Sequence, residues 1–402
     1  MFIRQVMLLS YIILYMFYRY FDIMFMMNSH IRTLCLNFGD SMNLRLLFIS
    51  HSLDNSGAPI VLFEIIKLCK RKGHIVDVIS LDDGILHSSL EKENIHVDIA
   101  DDFLDNLKKW QNIFYKYDAV IVNTLVCIEA IYALSTTTIP TVWWIHEHEP
   151  WFIHYKPIFP KPYELHSNIH VWGVSPITCK LIEQYCNYMP TLFPFGIEDA
   201  LPLFSTRDVK NNDNRVVFVV PGKFSTVKGQ DILLNSISML SSELSEKCSF
   251  NIFGCIVSEE QNYFQEINSL SANLTNVNIQ LQLDHDETLK KIYEADYLIV
   301  PSRFEPFPTT AVEAMMLNTV PVVSDVCGVS YYINNYCNSF IFASESPKDL
   351  YYSLCKAIDF RLNSKSEYEI MQKKFRKCYE DNFKINVVAN KFFSLIRNYM
   401  TS

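Results

Sequence analysis

Residues 296–328, DYLIVPSRFEPFPTTAVEAMMLNTVPVVSDVCG, pass from a short apolar run through a proline-broken loop and a helical segment to a second apolar run. After Asp296, the run 297–300 is apolar at every position rather than at alternate ones, as is 320–323. A strand of that kind has both faces covered, which is the pattern of a parallel sheet in an α/β protein. Pro301 and Pro306 turn the first run into a loop, Thr309 and Thr310 are placed to cap a helix through Ala311 and Met316, and Asn318 ends it. Glu305 falls in the loop and Glu313 on the helix. Open parallel sheets bind ligands at the carboxyl ends of their strands, and the free N–H groups of a helix start favour phosphate. A carboxylate one or two turns into that helix is too far in to compete for the phosphate, but it can accept hydrogen bonds from ribose hydroxyls. The stretch fits a nucleotide carrying a second polar group; two solvated glutamates fit the same residues.

The full pattern, P-S-x-x-E-P-F-P-x-x-x-x-E-A-M followed by V-P-V-V-S-D-x-x-G, resembles the donor-site signature of the family 4 retaining glycosyltransferases, which have the GT-B fold. The resemblance implies an α/β protein of two Rossmann-like domains facing a cleft. It places an N-terminal acceptor domain at 42–200, a C-terminal nucleotide-sugar donor domain at 201–385, and a last helix, 386–402, crossing back to the first domain.

A chain of 402 residues that is 49% hydrophobic has room for two such cores. Its net charge of −9 gives a nucleic-acid partner no electrostatic support. The cysteines are scattered, with no C-x-x-C pair, which argues against a zinc site or a disulfide framework and for a reducing, cytosolic setting. Residues 1–41 stand apart. Their apolar run is interrupted by Arg19 and Asp22, short of the roughly 20 residues a spanning helix wants. A membrane-associating helix, a poor spanning helix, and translated sequence ahead of a start at Met42 are all compatible with it.

From Leu44 the chain reads as strand, turn, helix, strand. The turn carries Ser56-Gly57-Ala58-Pro59, the helix closes at Gly73, and the second strand covers 75–80. Gly57 lets a ligand approach the helix N-terminus, or simply makes a tight turn. No G-x-G-x-x-G follows the first strand, which argues against a dinucleotide dehydrogenase. Further strands are expected at 118–122, 141–145 and 171–173. His146, Glu147, His148 and Glu149 follow the second of these; His146 and His148 would share a face if the strand continued, which invites a metal reading without a visible third ligand. The loop at Gly57 resembles the family's glycine-rich N-terminal loop, with one glycine kept, and so places Gly57 near the donor diphosphate and acceptor. His146 matches the family histidine that contacts the donor sugar. Glu147 either faces the acceptor or braces the loop.

In the C-terminal half, a strand at 216–220 leads into Gly222-Lys223 and Lys228-Gly229, then a helix at 232–240. A P-loop is absent. Two ammonium groups beside one loop suit a diphosphate leaving group, or are surface lysines. The family pattern is G-R-x-x-x-x-K-G, so Lys stands for Arg at 223 and the bidentate fork is lost. Strands are expected at 249–254 and 277–283. Asp284-His285-Asp286 forms a D-x-D, a metal motif elsewhere, but here it opens a helix, where Asp is an ordinary cap.

By resemblance, Glu313 binds the donor ribose, Glu305 lies at the transferred sugar, and Phe307, Thr309 and Thr310 lie near sugar and phosphates, joined by Gly222, Lys223 and Lys228. Pro306 and Pro308 replace frequent glycines and remove N–H groups from that loop. The implied activity is retaining transfer from a UDP- or GDP-linked sugar to a hydroxyl of a glycan or lipid-linked acceptor, with no metal or cofactor. The implied setting is surface-glycan, capsule or lipopolysaccharide assembly, peripheral to the inner face of a membrane. A nucleotide-sugar epimerase or hydrolase of similar fold, and a non-catalytic scaffold subunit, remain as rivals.

Overall fold

The computed structural model describes residues 43–161, 165–204, 215–281, 283–336 and 340–401. The N-terminal apolar segment, 1–41, and residues 205–214 lie outside them.

Two all-parallel sheets organise the chain. The first has the order β3-β2-β1-β4-β5-β6-β7, with β1 at Arg45–Ser50, β2 at Ile75–Ser80, β3 at His96–Ile99, β4 at Ala119–Asn123, β5 at Thr141–Ile145, β6 at Ile169–Gly173 and β7 at Thr191–Leu192. The second has the order β10-β9-β8-β11-β12-β13, with β8 at Val216–Pro221, β9 at Cys248–Gly254, β10 at Val277–Leu281, β11 at Tyr297–Val300, β12 at Val320–Ser324 and β13 at Ile341–Phe342. Strands β4, β5, β11 and β12 are buried at every position, because helices cover both faces of each sheet; that is why their sequences are unbroken apolar runs.

In each sheet the chain direction across the sheet reverses once, between β1 and β4 and between β8 and β11. Loops at such a switch point diverge and leave a crevice at the strands' carboxyl ends. The loops following β1, β5, β8 and β11 are the ones that carry Gly57, His146, Lys228 and Glu305.

The ends of several elements differ from the sequence expectation. The strand expected at 277–283 stops at Leu281, and the helix expected at 232–240 runs Gln230–Ile237. Thr309 and Thr310 are not caps: helix Thr309–Met316 starts from Pro308, whose φ of −71° is already helix-compatible, and no side chain caps it. Asn318 ends that helix in the left-handed region, with φ of 58°, a conformation asparagine tolerates. His146 and His148 do not share a strand face, because β5 ends at Ile145.

The long C-terminal helices tie the halves together. Arg376, on helix Lys365–Asn382, donates to the Asp199 carboxylate (3.0 Å) and to the Met316 carbonyl (2.6 Å). Ile197 and Lys384 form an isolated parallel bridge. Helix Ile385–Thr401 then packs on the first sheet: Tyr399 stacks on His170 at 3.6 Å and accepts from Trp172 Nε1 (3.0 Å), while Lys391 donates to the Leu192 carbonyl (2.6 Å).

Candidate active site

Gly229, φ 68°, makes the turn into helix Gln230–Ile237, and a Cβ there would lie 2.2 Å from the Pro301 carbonyl oxygen, so only glycine lets the two loops touch. Across that contact Arg303 forms a fork with Asp231 (2.9 and 2.7 Å) and donates to the Thr226 carbonyl (2.7 Å). The loop after β8 is thereby clamped to the loop after β11.

The clamp brings Lys228 against Glu305, and Lys228 Nζ donates to Glu305 Oε2. Burial alone would pull the Lys228 ammonium down, but the adjacent carboxylate outweighs it by charge and hydrogen bond, and the pKa stands above its usual value. Lys223 is exposed at the same loop, and its carbonyl accepts from Gln230 (2.9 Å). Gly222 precedes it in an extended conformation. The lysines are therefore not equivalent: one is a half-buried, charged partner of Glu305, the other a surface cation.

Glu313 sits on helix Thr309–Met316, mostly buried, and its carboxylate meets His285 Nε2 at 2.9 Å. That pairing was not foreseen. Asp284 accepts from the Glu287 backbone N–H (2.8 Å), and the Glu287 side chain returns to the Asp284 N–H (3.3 Å), a capping box. The box makes Asp284 the cap and turns His285, the middle residue of the D-x-D, toward Glu313. Its hydrogen bond to Glu313 is the main reason the largely exposed imidazole is held above its usual pKa. Among the described residues no group of three or more His, Cys, Asp or Glu is placed to hold a metal ion.

On the first sheet's side, helix Gly57–Arg71 starts without a side-chain cap; Pro59 has no N–H, and Ile60 N–H already bonds to Ser56 O (3.1 Å). No atom lies within 4 Å of where a Gly57 Cβ would stand. Packing therefore does not demand glycine there. His146 follows β5. Burial, with His51 adding to it, pushes its pKa to about 3, so the ring is neutral at ordinary pH, and its Nε2 is enclosed without a partner among the described residues. Glu147 fastens the turn and also lines a cavity beside the one that His146 lines. Its two oxygens accept from the Leu125 N–H (2.8 Å) and the His146 N–H (2.9 Å), and burial lifts its pKa to about 7. The turn it fastens holds Thr124 at φ 78°, an uncommon conformation for a β-branched residue. The Thr124 N–H to Trp144 O bond and the Trp143 Nε1 to Thr124 O bond, both 2.8 Å, hold it from the other side.

These groups converge on a cavity of about 120 Å³, lined on one side by Gly57, Ala58 and His146 and on the other by Glu305, Phe307 and Thr309. Phe195 and Phe307 meet edge to face (5.1 Å) at its floor. Two uncapped helix starts, at Gly57 and Thr309, border it, and their unpaired N–H groups favour an anion. Thr310 is half-buried at the second of these starts. Glu313 and His285 are not among its lining residues; Glu313 lies one turn into that helix, and His285 opens the helix His285–Glu294. Pro306 and Pro308 leave the N–H groups of Phe307, Thr309 and Thr310 in the loop.

Comparison with known proteins bears on both halves. Residues 42–163 match the model of the glycosyl-transferase family 4, and residues 204–377 match that of the glycosyl transferases group 1. A glycogen synthase of Petrotoga mobilis is 25% identical over 193 residues, 46% of this chain and 38% of that protein, so the chain spans less than half the length of such relatives. Among solved structures, a glycosyltransferase from Rickettsia africae superposes with a TM-score of 0.75 at 18% identity, covering 89% of this chain and 99% of the other. Anabaena Alr3699/HepE in complex with UDP and glucose gives 0.72 at 17% identity, covering 88% of this chain and 100% of the other. At those identities the structural likeness speaks for the fold. The two sheets, their facing loops and the two family matches agree: the chain belongs to the group 1, family 4 glycosyltransferases and has their two-domain GT-B fold.

Proposed function

We propose that this protein transfers a sugar from a nucleotide-sugar donor to a hydroxyl of a glycan or lipid-linked acceptor, with retention at the anomeric carbon. The observation that carries this reading is the cavity where two open helix starts, the Lys228–Glu305 pair and the neutral His146 meet. The helix start at Thr309 and Lys228, with Lys223 at the rim, take the diphosphate, whose charge grows as it leaves. Glu313, oriented by His285, receives the ribose hydroxyls. Glu305 holds the transferred sugar, and His146, uncharged, hydrogen-bonds it from the opposite side, with Gly57 leaving room for it. The acceptor oxygen bonds to the anomeric carbon on the face from which the diphosphate departs. The broken bond's electron pair leaves with the diphosphate, and the acceptor proton passes to the departing phosphate oxygen.

We assign charge stabilisation to Lys228 and the helix N–H groups, which need no metal or other cofactor for that role. Acceptors of this kind place the reaction in surface-glycan assembly at the inner face of a membrane. No described helix is long and apolar enough to cross one.

The Anabaena protein's complexes with UDP and with UDP-glucose make a uridine diphosphate sugar the first donor to try. Melting of the full chain is measured with UDP, GDP, ADP and their glucose conjugates. One nucleotide at about 100 times its Kd should add about 3 kcal/mol of stability, and Glu313→Ala should abolish the shift. No shift with any nucleotide would favour a scaffold role instead.

A further inference from the structure

Glu305 and Pro306 line two cavities, one on each side. The second, about 290 Å³, opens between helices Glu149–Tyr155 and Pro176–Cys186 of the first domain and the loops after β11 and β12 of the second. Its chemistry is the reverse of the first. Ile177, Leu181, Phe304 and Val326 form apolar walls, while Glu147, Glu149, Glu305 and Asp325 also line the space. The His148 ring lies nearly parallel to Phe304, 5.6 Å away, and its enclosed Nδ1 has no partner among the described residues.

The helix starts bordering this cavity offer an anion little. Pro150 and Pro176 have no N–H, and Ser175 Oγ accepts the Thr178 N–H (3.1 Å). Four acidic side chains line the cavity and disfavour phosphate, so a donor diphosphate is drawn to the first cavity and turned away from the second. A pyranose fits it: its hydroxyls donate to carboxylates, one C–H face covers an aromatic ring, and the unpaired imidazole nitrogen supplies a further polar contact.

We propose that this second cavity is the acceptor subsite and that it takes a neutral or amino-bearing glycoside, not a phosphorylated or uronic one. The assignment rests on the glycosyl-transfer reading above. The acceptor hydroxyl reaches the donor sugar at Glu305, which lines both cavities.

Saturation-transfer NMR on the full chain, with the nucleoside diphosphate that shifts its melting point, tests this with three probes: methyl β-glucopyranoside, methyl glucosaminide and glucose 6-phosphate. The first two should give signals and the phosphate one about tenfold weaker. Ile177→Trp, which fills the cavity, should abolish the signals while the nucleotide melting shift persists. Asp325→Lys, a change at an exposed residue, should raise the phosphate signal relative to the glucosaminide, and it carries the test if Ile177→Trp does not fold. A wild-type protein that responds to nucleotide but binds no probe, or signals indifferent to both substitutions, overturns the subsite and leaves the donor reading standing. Absence of any nucleotide response removes both.

Discussion

The two walls of the cleft handle charge differently. On the second domain's wall each largely buried carboxylate has a fixed basic partner: Glu305 with Lys228, Asp231 with Arg303, Glu313 with His285. On the first domain's wall the titratable groups have no such partner. His146 is driven to its neutral form, and Glu147, held only by backbone N–H groups, is lifted to about 7. Desolvation penalises a lone charge, and a counter-charge within hydrogen-bonding reach offsets the penalty. A paired wall can stay ionic when the cleft closes, and so can meet a diphosphate. The unpaired wall can offer only dipoles, which suit hydroxyls.

The sharpest way to break this contrast is to remove the charge that faces the leaving group. Lys228→Ala should lower the transfer rate by about 10²–10³-fold, measured as product formation at saturating donor. His146→Gln, which keeps a neutral hydrogen-bonding group, should lose far less; equal losses would show that the walls do not divide the work.

The two glycine loops offer a second test. Gly229→Ala meets both a left-handed backbone and the Pro301 oxygen at 2.2 Å, and should cost about 2 kcal/mol or more in urea unfolding. Gly57→Ala faces open space and should leave stability within about 0.5 kcal/mol, while its methyl group, set in the cavity, weakens donor-dependent transfer. A stable Gly229→Ala would mean the clamp between the loops is looser than its contacts imply.

The smallest effect concerns proton linkage. Glu147 is raised in the folded state, so its contribution to stability is whole below its ordinary pKa of 4.5 and is lost as pH rises through about 7. His146 is depressed, so its contribution is whole above 6.5 and is lost as pH falls toward about 3. Between 4.5 and 6.5 the two slopes oppose each other. Glu147→Gln removes the first, so the variant should gain on the wild type by about 2 kcal/mol between about pH 5 and about pH 7. A gap that does not change with pH would place an ionised Glu147 in the folded protein at both values.

Much of the site could be read before the fold was known, because its signals are local. Gly229 beside Lys228, and Glu305 in the loop that leads into the helix carrying Glu313, are set by spacing along one or two elements. His285 escaped because a D-x-D draws attention to its aspartates, and only the capping box shows that the middle residue is the one turned inward. Thr124 carried no signal at all: its strained backbone is imposed by Glu147, Trp143 and Trp144 from elsewhere in the sheet.

The amino-acid order by itself determined the strands, the helices and the parallel, doubly covered sheets, since apolar periodicity is a property of neighbours. Which side chains meet was decided only by the tertiary structure. Lys228 and Glu305 are 77 residues apart, His285 and Glu313 are 28 apart, and the second cavity draws on both domains. Such meetings depend on where each sheet reverses direction and how the closing helices hold the two halves, and no local pattern encodes either.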